Sequence, residues 1–249
     1  MSTKPSQILT GDCLEILPTL PKASVQMVFL DPPYNIGLDY GNGTKADQLS
    51  PAKYLSQMER LLTHCIDLLT PSGSLWFLIS EQWADHIGLM LSDRLPRRNR
   101  IIWRETFGQY REDQFGPGHR HLFWHVMDRK QSPFYADEIR IESQRMRNGD
   151  TRAKGPRVPD DVWEIPRLVG TAKERLGEHP CQLPETLIER VIRCSTQKGD
   201  LVLDPTAGSG TILRCAQRLE RRSIGIEQQP AFVRLINKRL NRSWQRKLF

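Results

Sequence analysis

Four consecutive residues, Asp31-Pro32-Pro33-Tyr34, could do chemistry by themselves. They follow the apolar run Val25–Leu30, which reads as a buried strand. Each proline fixes φ and lacks an N–H, and Pro33 biases Pro32 away from the helical region. The chain therefore makes a stiff corner at the carboxyl end of a strand. That corner turns a carboxylate, backbone carbonyls and an aromatic ring toward one small volume. Such a set suits a flat base carrying an exocyclic NH2: it offers acceptors for the two hydrogens and a face for the ring to stack on. Asn35 is placed to brace the corner. A prolyl turn with a capping Asp is the plain alternative, and a second motif decides between them.

That motif is Leu201-Val202-Leu203-Asp204-Pro205-Thr206-Ala207-Gly208-Ser209-Gly210-Thr211, a strand, a small-residue loop and a helix start. Gly208 and Gly210 let backbone approach a ligand where a side chain would block it. The helix N-terminus offers N–H donors and positive potential to a carboxylate. The next strand ends at Glu227, 23 residues after Asp204, where an acid can accept both hydroxyls of a ribose. The spacing is neither G-x-G-x-x-G, since Leu213 stands at the third glycine's place, nor a P-loop, since no Lys follows Gly210. Alone it is a plain β-α turn. Together with the corner it puts two sites at carboxyl ends of parallel strands, on one rim of a sheet.

The elements that must hold these loops alternate short apolar runs with longer amphipathic stretches, the α/β pattern. Strands are expected at 7–10, 25–30, 74–79, 100–103, 121–126, 201–203 and 223–226. Ser50 and Pro51 open a helix that Pro71 and Gly73 end, and further helices cover 81–91, 184–192, 209–219 and 230–240. About seven strands suit one twisted, mostly parallel sheet with helices on both faces. Residues 128–178 lose the period and read as an irregular basic insertion. This divides the chain into 1–127, 128–178 and 179–249, the first and last being parts of one domain.

The 249 residues allow one large α/β domain. No apolar run approaches the about 18 residues of a membrane span, and the first residues have no apolar signal segment. Five scattered cysteines (13, 65, 181, 194, 215), with no C-x-x-C, point to a reducing cytoplasm rather than a disulfide framework or zinc ribbon. The net charge of +7 is unevenly placed: residues 94–157 carry +7 and residues 214–249 carry +8, on an otherwise acidic chain. Two basic blocks on such a framework suit a polyanion partner. Arg111, His119, Arg120, Arg145, Arg147, Arg152 and Lys154 are the candidate contacts to such a polyanion, against the alternative of a solvated basic surface.

Taken together, the motifs resemble the S-adenosylmethionine-dependent amino-DNA methyltransferases of the β group, which act on adenine N6 or cytosine N4. The early Asp31–Tyr34 and late Asp204–Thr211 match that family's circularly permuted motif order. Gly11-Asp12-Cys13 resembles its element against the cofactor adenine, and His179-Pro180-Cys181-Gln182-Leu183-Pro184 its H-P-T-Q-K-P segment, with Cys and Leu replacing Thr and Lys. The resemblance implies a Rossmann-like methyltransferase fold. It implies S-adenosyl-L-methionine as cofactor, held by Asp12, Cys13, Asp31, His179, Gln182, Asp204, Thr206, Ala207, Gly208, Ser209, Gly210, Thr211 and Glu227. It implies DNA as substrate, with the target base flipped out of the duplex and gripped by Asp31, Pro32, Pro33 and Tyr34. Residues 128–178 fall where the family carries target recognition. Aspartate at the first corner position leans toward adenine N6, since the cytosine-N4 enzymes more often carry serine there. RNA methylation and a catalytically silent DNA-binding subunit are the further alternatives. A homodimer and a restriction endonuclease partner are both compatible with the resemblance.

Two other patterns compete for attention. Pro180-Cys181 resembles the nucleophile pair of C5-cytosine methyltransferases, but it precedes a helix in the cofactor half. His119, His121 and His125 share one strand face, yet no carboxylate or Cys pattern near them in sequence completes a metal site, so no metal is expected. Trp103, Phe107, Tyr110 and Phe115, with Arg104 and Arg111, form an aromatic-basic stretch suited either to DNA or to the core.

Overall fold

The structure is a computed structural model of the chain, and it describes residues 5–105, 111–152, 154–170, 172–177 and 179–241. Phe107 and Tyr110 lie outside the described residues. In order, the elements are β1 (Ser6–Thr10), α1 (Cys13–Ile16), β2 (Val25–Leu30), α2 (Pro51–Leu68), β3 (Leu69–Ile79) and α3 (Glu81–Ser92). There follow β4 (Arg97–Arg104), β5 (His119–Val126), α4 (Gln144–Arg147), β6 (Val162–Glu164), α5 (Glu185–Ser195), β7 (Leu201–Asp204), α6 (Thr211–Arg218), β8 (Arg222–Glu227) and α7 (Pro230–Asn241).

The strands form one sheet in the order β1-β8-β7-β2-β3-β5-β4-β6. Every pairing is parallel except those of β5, which runs against both β3 and β4. Because β5 alone is reversed, its first residues lie beside the carboxyl ends of the other strands. The loops after β1, β2, β4, β7 and β8 and the start of β5 therefore share one rim.

Both sheet faces are covered, so β2 is buried almost throughout. Met27 and Phe29 join a core with α5, α6 and the Trp76–Trp124 stack, whose ring centroids are 4.6 Å apart. Val28 and Leu30 join the opposite core with α2 and α3. Among the described residues no helix is long and apolar enough to cross a membrane.

The structure differs from the sequence expectation in three places. Among the described residues there are eight strands rather than about seven. Strand β3 begins at Leu69, directly after α2, so Pro71 and Gly73 lie within a strand instead of ending the helix. The register with β2 shifts there, between Val25 and Met27, and a bulge tolerates a proline that a regular ladder would not. Finally, 128–178 is not wholly irregular. Val162–Glu164 pairs with β4 at the sheet edge, and Trp163 and Ile165 are buried in the core. Three residues are too few to show a period, which is why the strand is invisible in the sequence.

Candidate active site

The corner after β2 is held from several sides. The Tyr34 hydroxyl donates to Asp31 Oδ1 at 2.5 Å. The Tyr54 hydroxyl donates to the Pro33 carbonyl at 3.0 Å, and Trp83 Nε1 donates to the Tyr34 carbonyl at 2.7 Å. These two bonds occupy the Pro33 and Tyr34 carbonyls and not that of Pro32. Asn35 adopts a left-handed conformation, φ 58°. Its side chain braces the corner as expected, exchanging hydrogen bonds with the Leu49 backbone at 2.8 and 2.6 Å.

The larger clamp was not apparent in the sequence. Asp47 is buried, and its carboxylate accepts from the backbone N–H groups of Asn35, Ile36 and Leu38 at 2.8, 3.1 and 3.0 Å. Three charge-assisted bonds to one carboxylate fix the chain that leaves Tyr34.

The glycine loop after β7 meets the corner across a cavity of about 560 Å³. Gly208 and Gly210 have φ of 49° and 74°. A Cβ on Gly208 would lie 2.8 Å from His179 Nε2, and one on Gly210 would lie 2.9 Å from Ile236 Cγ1, so both positions need glycine. Arg239 of α7 donates to the Ser209 carbonyl and to Thr211 Oγ1, both at 3.0 Å, and pairs with Glu185 at 2.9 Å, tying the loop to α5. Glu227 receives Gly208 N at 2.9 Å and Gln229 N at 2.7 Å, one on each carboxylate oxygen. Asp12 caps α1 through Leu14 N at 2.8 Å.

Asp12, Cys13, all four corner residues, His179, Gln182, Thr206, Ala207, Gly208, Ser209, Thr211 and Glu227 line this one cavity. Asp204 and Gly210 lie behind the wall: Asp204 is buried at the end of β7, and Gly210 caps α6. The Gln182 amide holds the neighbouring segment, accepting from Leu176 N at 2.9 Å and donating to the Glu174 carbonyl at 2.7 Å.

Burial shapes the charges of the cavity. It pushes the Asp31 carboxyl up to about 6, while the Tyr34 hydroxyl and the Arg120 guanidinium pull it down and Glu105 pushes it up. Asp204 is held far above the usual carboxylate range, chiefly by burial, and among the described residues neither its Oδ2 nor Thr206 Oγ1 has a hydrogen-bond partner. Burial lowers His179 to about 4, so its imidazole is neutral at pH 7. Cys181 also lines the cavity, closer to the corner than its place in the sequence suggests. Burial and the nearby Asp31 raise its thiol, which opposes a thiolate nucleophile.

The candidate DNA contacts separate. Arg120 points into the cavity: its guanidinium lies 4.8 Å from the Tyr34 ring centroid, and Nε donates to Glu105 Oε1 at 2.9 Å. Arg111 is exposed away from the cavity lining. Arg145 and Arg152 both pair with Asp150, at 2.8 and 3.1 Å, and Arg147 and Lys154 are exposed on the same loop.

The expectation that no carboxylate approaches the histidines is corrected: Glu81, at the start of α3, lies against both His119 and His121. The His119 and His121 Nε2 atoms are 3.2 Å apart. Arg100 Nε donates to His121 Nδ1 at 3.1 Å, which assigns the proton of a neutral His121 to Nε2, facing Glu81. A hydrogen-bonded chain accounts for the cluster.

Asp47→Ala removes the acceptor for three backbone donors. Each buried donor left unsatisfied costs about 1–3 kcal/mol. The expected result is a midpoint shift in urea unfolding equivalent to at least about 2 kcal/mol; an unchanged midpoint would show that solvent replaces the clamp.

The geometry can be set beside known proteins. A family model described as DNA methylase matches residues 25–238. The type II methyltransferase M.HpaI of Haemophilus parainfluenzae is 30% identical over 237 residues, covering 94% of this chain and 74% of that protein. The DNA adenine methyltransferase YhdJ of Escherichia coli K12 is 30% identical over 247 residues, covering 94% and 82%. Among solved structures, the PvuII cytosine-N4-specific DNA methyltransferase superposes with TM-score 0.72 at 17% identity, covering all of this chain and 89% of the other. The M1.HpyAVI–SAM complex does so with TM-score 0.65 at 23% identity, covering 95% and 99%. These structural likenesses establish the fold, a Rossmann-like methyltransferase sheet. With the family model spanning most of its length, this chain belongs to the DNA methylases that modify adenine N6 or cytosine N4.

Proposed function

We propose that the protein transfers a methyl group from S-adenosylmethionine to the exocyclic N6 amine of adenine in DNA, the base being turned out of the duplex into the corner. The observation that carries this reading is the meeting of the Asp31–Tyr34 corner and the Gly208–Gly210 loop across one cavity.

The cavity residues fit the cofactor. Glu227 stands at the end of β8 for a ribose, and Thr206 Oγ1, on the cavity lining, has no hydrogen-bond partner among the described residues. Glycine at 208 lets the loop pack directly against the His179 ring, which also lines the cavity. S-adenosylmethionine supplies an activated methyl on a positively charged sulfur. Asp12, Asp31 and Glu227 give the wall the acidic character such a cation needs. The M1.HpyAVI and Thermus thermophilus TTHA0409 structures, both similar in fold, contain S-adenosylmethionine.

An exocyclic amine is a weak nucleophile because its lone pair is delocalised into the ring. Asp31 and the Pro32 carbonyl accept its two N–H bonds, hold it in place and stabilise the positive charge that grows on nitrogen. Fixing amine and donor in one cavity supplies a further large share of the rate. Unstacking the base costs a few kcal/mol, and stacking in the corner offsets part of that. Adenine is favoured by aspartate at the first corner position and by the 30% identity to a relative named as an adenine enzyme.

The DNA-facing reading of 128–178 rests on the loop 141–157. Ile141 and Arg157 exchange two backbone hydrogen bonds of 2.9 Å and close its neck, and Arg145, Arg147, Arg152 and Lys154 lie beyond it. We infer that this loop contacts phosphates.

Incubation with isotopically labelled cofactor and DNA, followed by nucleoside mass spectrometry, is expected to place the label on N6-methyladenine. Label on N4-methylcytosine would move the target to cytosine, and label confined to RNA would overturn the DNA reading. Asp31→Asn is expected to lower kcat by at least about 10²-fold.

Asp31 must be ionised to accept the amine, and its pKa is raised to about 6. Below that pH the carboxyl protonates, so log kcat/KM for the parent is expected to fall toward a slope of one per pH unit. A flat profile down to pH 5 would contradict this.

The double substitution Arg147→Ala with Lys154→Ala is expected to weaken DNA binding uniformly across sequences. It should also reduce the slope of log K against log salt by about 2. An unchanged slope would remove the loop from the DNA face.

A further inference from the structure

An ion pair between a half-buried arginine and a buried acid stands against the corner. Arg120 on β5 covers the Tyr34 ring, with its guanidinium carbon 4.8 Å from the centroid. Its Nε donates at 2.9 Å to Glu105, the residue after β4, which is only 6% exposed. The Tyr34 hydroxyl in turn donates to Asp31 Oδ1 at 2.5 Å. A continuous chain of contacts therefore runs Glu105–Arg120–Tyr34–Asp31, linking three strands across the rim.

Two features give the pair a role beyond packing. Taking two charges out of water costs several kcal/mol per ion, and an apolar pair of similar volume holds a sheet rim as well or better. The guanidinium also lines the cavity, over the Tyr34 ring.

The groups around Asp31 come from every neighbouring element. Tyr34 is in its own corner, and Arg120 and Glu105 come from β5 and the end of β4. Asp204 from β7, Tyr40 from the loop before α2, Tyr54 from α2 and Cys181 from the segment before α5 complete the set. Arg120 is the cation of this set.

We propose that Arg120 is a positioning residue for methyl transfer: it fixes the Tyr34 ring and keeps Asp31 in its charged, amine-accepting form, and Glu105 sets how strongly it does so. This rests on the reading of Asp31 given above. The charges act in opposite senses, Arg120 favouring ionised Asp31 and Glu105 opposing it.

The test compares the pH dependence of kcat/KM in the full-length parent, Arg120→Gln, Arg120→Lys and Glu105→Gln. In Arg120→Gln the acid limb is expected to move to higher pH by about one unit. In Glu105→Gln, an isosteric change that removes the opposing charge, it is expected to move to lower pH. Arg120→Lys keeps the positive charge and is expected to retain the parent limb with reduced kcat. Limbs that coincide with the parent's, or that move the same way in Arg120→Gln and Glu105→Gln, would overturn the proposal. So would a reduced salt slope of DNA binding in Arg120→Gln with an unmoved limb, since that marks a phosphate contact. Should Arg120→Gln fail to fold, the Glu105→Gln and Arg120→Lys limbs still decide. Asp31→Asn separates the two claims: full turnover there refutes the amine-accepting corner itself, whereas loss of turnover with unmoved Arg120 and Glu105 limbs refutes only the tuning.

Discussion

The site exists because β2 and β7, 171 residues apart at Leu30 and Leu201, lie side by side and parallel. Met27 pairs with Val202 and Val28 with Leu203, and each strand then delivers its loop to the same rim. A one-residue slip would exchange the two faces of β2 and rotate the corner away from the glycine loop. Packing prevents the slip. Met27, Val28, Phe29 and Leu30 are all fully buried, alternating between two cores, and each large apolar side chain is worth about 1.5–3 kcal/mol on burial. That total exceeds the cost of confining Asp31 at the strand's end, on the order of 3 kcal/mol for a carboxyl raised from 3.8 to about 6.

The rim therefore holds acids that the fold keeps partly desolvated, and the surrounding contacts manage them differently. Glu227 takes one backbone N–H on each oxygen, and Asp47 takes three in all. Asp47 is thereby satisfied within the chain and shapes its loop, while each Glu227 oxygen keeps a further lone pair that faces the cavity. Asp31 has only the Tyr34 hydroxyl and the field of Arg120, and Asp204 leaves one oxygen bare. Of the two, only Asp31 lines the cavity, where a cationic methyl donor and an amine both need negative charge; Asp204 lies behind the wall, its carboxyl held protonated by burial.

What was legible in the sequence was whatever the local chain imposes. Two prolines after an apolar run force a corner, small residues after Leu203 force a close turn, and the order of the two motifs follows from reading alone. What was hidden depends on meetings between distant residues. Asp47 is an ordinary exposed-looking acid until the loop folds three N–H groups onto it. Arg120 sits in a basic block and reads as a DNA contact, but the reversed direction of β5 turns it into the cavity beside Glu105. Glu81 is 40 residues from His121, so no spacing rule joins them. Strand β6 is only three residues long, and its Trp163 looked like part of a polar insertion.

The central claim is that Asp31 and the Pro32 carbonyl receive the target amine while the glycine loop holds the methyl donor. A crystal structure of the protein with duplex DNA and a non-transferable cofactor analogue tests it most directly. The account predicts an extrahelical base with its exocyclic nitrogen within hydrogen-bond distance of both acceptors, and the analogue lying along Gly208 with its ribose on Glu227. A base left stacked in the duplex, or an extruded base whose amine points away from Asp31, would contradict it.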